Sequence, residues 1–215
     1  MNKLQALKTL LAKPNRLKAL LSFGHKGYLH SIGWFRAFDV QQAIDEEGNP
    51  LPWVTYSFID FIKTRLNKNL SVFEYGAGSS TLYYAKRVGR VVSVEHDEKW
   101  FNKIVGSKPA NSEMIFTELI TDGAYAKKAS SLDEKFDIIV VDGRDRVNCC
   151  KYSINALTAA GVIVLDDSER AAYGDARAML KKEGFRELSF SGISPGLFYA
   201  KATSVFYRTD NCLGI

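Results

Sequence analysis

The sequence predicts a doubly wound α/β fold in which a mostly parallel sheet carries helices on both faces. Three observations predict it. Five short β-rich runs, Ser71 to Tyr75, Val91 to Glu95, Met114 to Thr117, Phe136 to Val141 and Val162 to Leu165, are continuously apolar rather than alternating, as strands buried on both faces are. Helical patterns near Ser79 to Val88, Glu98 to Val105, Asn148 to Ala159 and Arg170 to Glu183 lie between them, the order that parallel crossovers need. The last two runs, Phe185 to Phe190 and Ser204 to Arg208, are joined by Ser191 to Ala200 without room for a crossover helix, so this pair is expected to be antiparallel.

The chain preceding these strands has a different character. The whole protein, 215 residues, 46% hydrophobic and 25% charged, suits one core-bearing domain and excludes a disordered, fibrous or repeat-built chain. The net charge of +5 is uneven: residues 1–30 carry Lys3, Lys8, Lys13, Arg16, Lys18 and Lys26 and no acid. Leu4, Leu7 and Leu11, then Leu17, Leu20 and Leu21, recur at helical spacing, and Pro14 divides them into two short helices. The preferred reading of this basic amphipathic arm is a helix packed on the core with its lysines in water. Contact with a membrane surface is the alternative, and nucleic acid is disfavoured. Gly33 to Pro52 reads as a polar connection and Trp53 to Leu66 as a helix, so residues 1–52 form an arm and connection and residues 53–215 the catalytic-type domain.

Cys149, Cys150 and Cys212 have no metal-binding spacing, and the first two are badly placed to bridge each other, which fits a reducing compartment. The start lacks a secretory pattern and no apolar run approaches the ~20 residues of a membrane span. A cytoplasmic protein is expected.

The most informative stretch is Val72-Phe-Glu-Tyr-Gly-Ala-Gly-Ser-Ser-Thr81, a strand entering glycines and then a helix. Gly76 and Gly78 let the backbone turn tightly and approach a ligand, and the helix start offers free N–H groups. Glu74 repels a pyrophosphate but suits a cationic ligand, and Thr81 stands where a dinucleotide-binding loop has its third glycine. Glu95 ends the next strand, where a carboxylate can hold both hydroxyls of a ribose. His96 and Asp97, beside it, read more simply as loop residues.

From about Trp53 to Arg208 these residues resemble the class I S-adenosylmethionine (SAM)-dependent methyltransferases. Glu74, Gly76, Ala77 and Gly78 match the glycine-loop motif, Glu95 matches the acid after the second strand, and Ser80 departs from a frequent third glycine. The resemblance implies a Rossmann-like, seven-stranded sheet with the last strand antiparallel. It implies that SAM is held by Glu74, Gly76, Ala77, Gly78, Ser79, Ser80, Glu95, His96 and Asp142, with Glu74 near the methionine end, Glu95 on the ribose and the loop Glu118 to Gly123 at the adenine.

Asp142 follows the fourth run and Asp166 and Asp167 the fifth, so three carboxylates converge on one sheet edge, a hard-cation arrangement. Within the family this is similar to the catechol and caffeoyl-CoA O-methyltransferases, which implies Mg2+ or another divalent metal on Asp142, Asp166 and Asp167. Asp167 replaces an Asn of that pattern, and Asp145 stands about where those enzymes have a lysine base. The other reading has Asp142 facing the cleft without metal and Asp166 or Asp167 capping a helix near Glu169. Tyr125, His30, Trp34, Phe35 and Tyr199 are candidates for an acceptor pocket.

The function expected is SAM-dependent O-methylation of a small-molecule or sugar-like acceptor, with Asp142 or Asp145 as base if no metal serves. The alternatives are an aminopropyltransferase, against which Arg144 and Arg146 argue, and a non-catalytic nucleotide- or nucleic-acid-binding module.

Overall fold

The computed structural model describes residues 2–215. Seven strands, β1 (Ser71–Tyr75), β2 (Arg90–Glu95), β3 (Ser112–Phe116), β4 (Phe136–Val141), β5 (Leu157–Asp166), β6 (Arg186–Gly192) and β7 (Lys201–Tyr207), form one sheet in the order β3-β2-β1-β4-β5-β7-β6. Strands β1 to β5 pair in parallel, and β7 runs antiparallel to both β5 and β6. The expected Rossmann-like sheet with a reversed last strand is therefore present. Between β1 and β4 the strand order changes direction, and the strand ends there open a crevice, the usual place for a ligand in such sheets.

Side chains alternate across the strands and both faces are covered. Val72, Val91, Ile138, Val140, Val162 and Val164 point to one face, where helices α5 (Tyr56–Ile62) and α6 (Ser79–Arg87) pack. Phe73, Tyr75, Val92, Ile139, Val141 and Leu165 point to the other, against α8 (Ala124–Ser131), α9 (Arg146–Ser153) and α10 (Gly174–Lys182). Burial on both sides is why these strands read as unbroken apolar runs.

Several boundaries differ from expectation. The helix expected over Asn148 to Ala159 stops at Ser153, a turn of 3-10 helix follows over Ile154–Ala156, and β5 begins at Leu157. Helix α8 follows the loop Glu118 to Gly123 in a stretch to which no element was assigned from sequence. The segment read as a polar connection folds in part as α4 (Trp34–Val40) and buries Ala37, Ala43 and Leu51, so the packed unit begins before the boundary expected at residue 52. Helices α1 (Lys3–Leu11) and α2 (Pro14–Ser22) bury no residue, and neither does the short α3 (Tyr28–Ser31) that follows them. The arm is not packed on the core as preferred. Helix α7 (Glu98–Ile104) follows β2, its start capped by Asp97, whose carboxylate accepts the Trp100 N–H at 2.9 Å.

Candidate active site

A cleft of about 850 Å³ opens at the C-terminal edge of β1, β2 and β4. Its wall on one side is the turn from β1 into α6, where Gly76, Ala77, Gly78, Ser79 and Ser80 all face the cavity. At Gly76 the backbone takes φ +94°, and an added Cβ would stand 3.4 Å from the Gly143 Cα. Both the sign of φ and the closeness of the two turns favour glycine. Gly143 is tighter still, since a Cβ there would reach 2.1 Å from the Tyr125 hydroxyl.

Glu95 closes this turn from the next strand. One carboxylate oxygen accepts the Ala77 N–H at 3.1 Å, and the other accepts the N–H groups of His96 and Asp97 at 2.7 and 2.8 Å. The His96 Nδ1 also lies 3.0 Å from it. Glu95 thereby ties the glycine turn to the end of β2, and it and His96 line the cleft. Glu74 does something different. It is buried on the α6 side of β1, where one oxygen accepts the Thr81 hydroxyl at 2.7 Å and the Ser93 hydroxyl at 2.9 Å, while the Thr81 oxygen accepts the Gly78 N–H at 3.1 Å. Burial pushes the Glu74 carboxyl up to about 7, against these hydrogen bonds, which lower it. Glu74 is not among the lining residues, so it braces the turn from behind and does not face the methionine end of a ligand as expected.

The expected acids at the ends of β4 and β5 do converge, but not on a metal. Arg146, at the first position of α9, donates to the carbonyls of Gly143, Asp142 and Asp166 at 3.0, 3.0 and 2.6 Å, and its guanidinium lies 3.0 Å from the Asp142 carboxylate and 3.4 Å from that of Asp167. The Lys201 ammonium, from the start of β7, sits 2.5 Å from Asp166 and 2.9 Å from Asp167. Arg170 pairs with Asp167 at 2.7 Å, and the Thr203 hydroxyl donates to Asp166 at 2.7 Å. Three carboxylates thus meet three cations, and the donors a divalent ion would need are already taken.

Among the described residues no group of three or more His, Cys, Asp or Glu side chains is arranged to hold a metal ion. The metal expected on Asp142, Asp166 and Asp167 does not fit this site. Burial would lower the Lys201 ammonium, but Asp166 beside it overrides that and holds it above its usual range. Asp142 is pushed well upward, first by burial and then by Asp166, with Arg146 opposing. Asp142 turns 28% of its side chain outward and lines the cleft; Asp167 also lines it with 8% of its side chain exposed, and Asp166, at 1%, does not.

Asp145 corrects a second expectation. It takes φ +50° at the start of α9, accepts the Asp122 N–H at 2.8 Å and the Asn148 amide at 2.9 Å, and is not among the lining residues. Its carboxylate anchors the loop Glu118 to Gly123 and is not placed as a base. That loop is not part of the cleft wall either, and Tyr125, His30, Trp34, Phe35 and Tyr199 also lie outside the lining.

Much of the lining was not foreseen from sequence. Trp100 on α7 donates its indole N–H to the Ala77 carbonyl at 2.7 Å and lays its ring beside Gly78, making an aromatic wall next to Glu95. Gln41, Gln42, Ala43, Leu51 and Trp53, from the segment after α4, supply another wall. Arg144 and Lys103 also reach the cavity, and neither pairs with a carboxylate among the described residues.

No protein-family model and no curated protein matches the chain. Solved structures do. A methyltransferase-like protein from Silicibacter pomeroyi superposes with a TM-score of 0.52 at 20% identity, over 74% of this chain and 89% of that one. The chain has a methyltransferase fold. The N-methyltransferase NodS from Bradyrhizobium japonicum gives a TM-score of 0.50 at 14% identity, covering 70% of this chain and 93% of its own. SMU.1697c from Streptococcus mutans, solved in complex with S-adenosylhomocysteine (SAH), gives 0.50 at 12%, covering 69% and 94%. At these identities the likeness is one of fold, and the chemistry has to be argued from the cleft.

Proposed function

We propose that the protein is a SAM-dependent methyltransferase acting on an oxygen of a small-molecule or sugar-like acceptor. The observation that carries this reading is Glu95, a buried carboxylate at the end of β2 locked by three backbone N–H groups against the glycine turn, on the wall of a cleft at the switch point of the sheet. The cavity has room for a nucleoside-sized ligand: Glu95 would hold its hydroxyls, the Trp100 ring would flank it, and the turn Gly76 to Ser80 would let the backbone come close. SAM, when bound, would supply an electrophilic methyl group on a sulfonium, with SAH departing as the neutral thioether.

For such a transfer the protein has two tasks, alignment and proton removal. Gln41, Gln42 and Trp53 also line the cleft and are suited to hold an acceptor by amide hydrogen bonds and stacking. Asp142 lines the same cleft as a carboxylate able to take a hydroxyl proton, and its upward shift makes its ionised form a stronger base. Arg146 fixes its direction from 3.0 Å. The unpaired Arg144 and Lys103 disfavour a cationic amine, which weakens both N-methylation and the aminopropyltransferase reading.

The experiment is mass-spectrometric detection of methylated product from SAM with a panel of sugars, vicinal diols, catechols and amines. A gain of one methyl on an oxygen acceptor supports the proposal. Transfer to amines alone would overturn its oxygen specificity.

A further inference from the structure

Helices α1 and α2 present an apolar surface that nothing among the described residues covers. Leu4, Leu11 and Leu21 are 61%, 62% and 69% exposed, and Leu7 and Leu20 are also open to solvent. Only Leu10 and Leu17 are half-buried, where the two helices lean on each other. Lys3 and Lys8 are on α1, Arg16 and Lys18 on α2, with Lys13 between the helices and Lys26 just beyond them, and residues 1–30 contain no acid.

A second apolar surface lies at the rim of the cleft. Loop 193–200 is tied down at both sides by indole N–H groups, Trp34 donating to the Leu197 carbonyl at 2.9 Å and Trp53 to the Pro195 carbonyl at 2.7 Å. The loop's tip carries Phe198, 76% exposed, and Tyr199, half exposed, and Phe38, also exposed, stacks on Trp34. The loop is therefore held firmly while its aromatic side chains face water. Trp53 belongs to this rim and to the cleft lining alike.

We propose that the arm and the aromatic rim dock the protein on an anionic lipid bilayer. Charge complementarity selects the partner. Six cations without an acid attract an anionic headgroup layer, and leucines on the same short helices enter the acyl boundary beneath it. Trp, Tyr and Phe at the cleft rim are the side chains that settle at a bilayer interface. A nucleic acid would use the cations and leave the leucines in water. A second copy pairing through the arms would bring six like charges against six.

The docking does not depend on the methyltransferase reading, and its test uses no catalytic readout. The full chain is sedimented with vesicles of phosphatidylglycerol and phosphatidylcholine, and with phosphatidylcholine alone. The expected result is binding to the anionic vesicles, weakened by added salt, and at least tenfold weaker binding to neutral ones. The triple variant Leu4→Gln, Leu7→Gln, Leu11→Gln should lose more than tenfold in vesicle affinity, and Phe198→Ser with Tyr199→Ser should lose affinity independently of the arm. All five side chains are exposed, so melting temperature and SAH binding should match the parent. Absence of vesicle binding by the parent would overturn the proposal. So would equal binding by parent and triple variant, duplex RNA binding without vesicle binding, or a leucine-dependent dimer that ignores vesicles.

Discussion

Replacing Glu74 by Gln isolates the cost of burying one acid behind the glycine turn. In the folded protein its carboxyl titrates at about 7, raised above the usual 4.5 by burial, and the unfolded chain releases it to the ordinary value. A carboxyl raised on folding stabilises the folded state fully only below the unfolded pKa, and that contribution is lost as pH climbs through the folded one. A shift of this size corresponds to about 3 kcal/mol, lost between about pH 4.5 and pH 7. Gln keeps an oxygen for the Thr81 and Ser93 hydroxyls and cannot ionise.

Urea unfolding at about pH 5 should therefore find parent and Glu74→Gln within about 1 kcal/mol, and at about pH 8 the variant should be more stable by about 2–3 kcal/mol. If the parent is the more stable at the higher pH, or if the difference does not change with pH, Glu74 is not a buried acid of this kind.

Lys201→Met should destabilise the fold by about 3–5 kcal/mol in urea unfolding, because it leaves Asp166 and Asp167 buried with fewer cations, and adding Asp166→Asn should restore part of the loss. A cost under about 1 kcal/mol would mean the pairs are not formed. Methyl transfer should be unchanged by excess chelator, since Arg146 and Lys201 occupy the carboxylates, and activity lost to chelator and regained with Mg2+ would contradict this. Asp142→Asn should lower kcat by about 100-fold while SAH still binds, and the parent's rate should fall as pH drops and the Asp142 carboxyl protonates. Unchanged kcat in the variant would remove Asp142 as the base.

The sheet was readable because strands buried on both faces carry apolar residues toward each of them, so β4 and the end of β5 stand out as runs without alternation, and β1 does so apart from the buried Glu74. The glycine turn and Glu95 were readable because their spacing is local. Segment 33–52 was misread because its few buried residues, Ala37, Ala43 and Leu51, are scattered among polar ones. The charge partners of Asp166 and Asp167 were missed for a reason of distance. Lys201 comes from the reversed strand β7, 35 positions beyond Asp166 in the chain, so the carboxylates looked unpaired until β7 was laid beside β5. Trp100 carried no signal beyond an aromatic on a short helix, and only the fold brings it over Gly78.

The central claim is that the cleft walled by Gly76 to Ser80, Glu95 and Trp100 binds the SAM skeleton, and calorimetric titration with SAH tests it most directly. The parent should bind with a dissociation constant in the micromolar range or tighter. Gly78→Val, which puts a branched side chain into the cavity beside Trp100, should abolish binding. Glu95→Ala should weaken it by about tenfold or more, the worth of a hydrogen bond to a charged group. NAD should not bind. No heat with SAH for a folded parent, or equal affinity in parent and Gly78→Val, would contradict the assignment of this cleft.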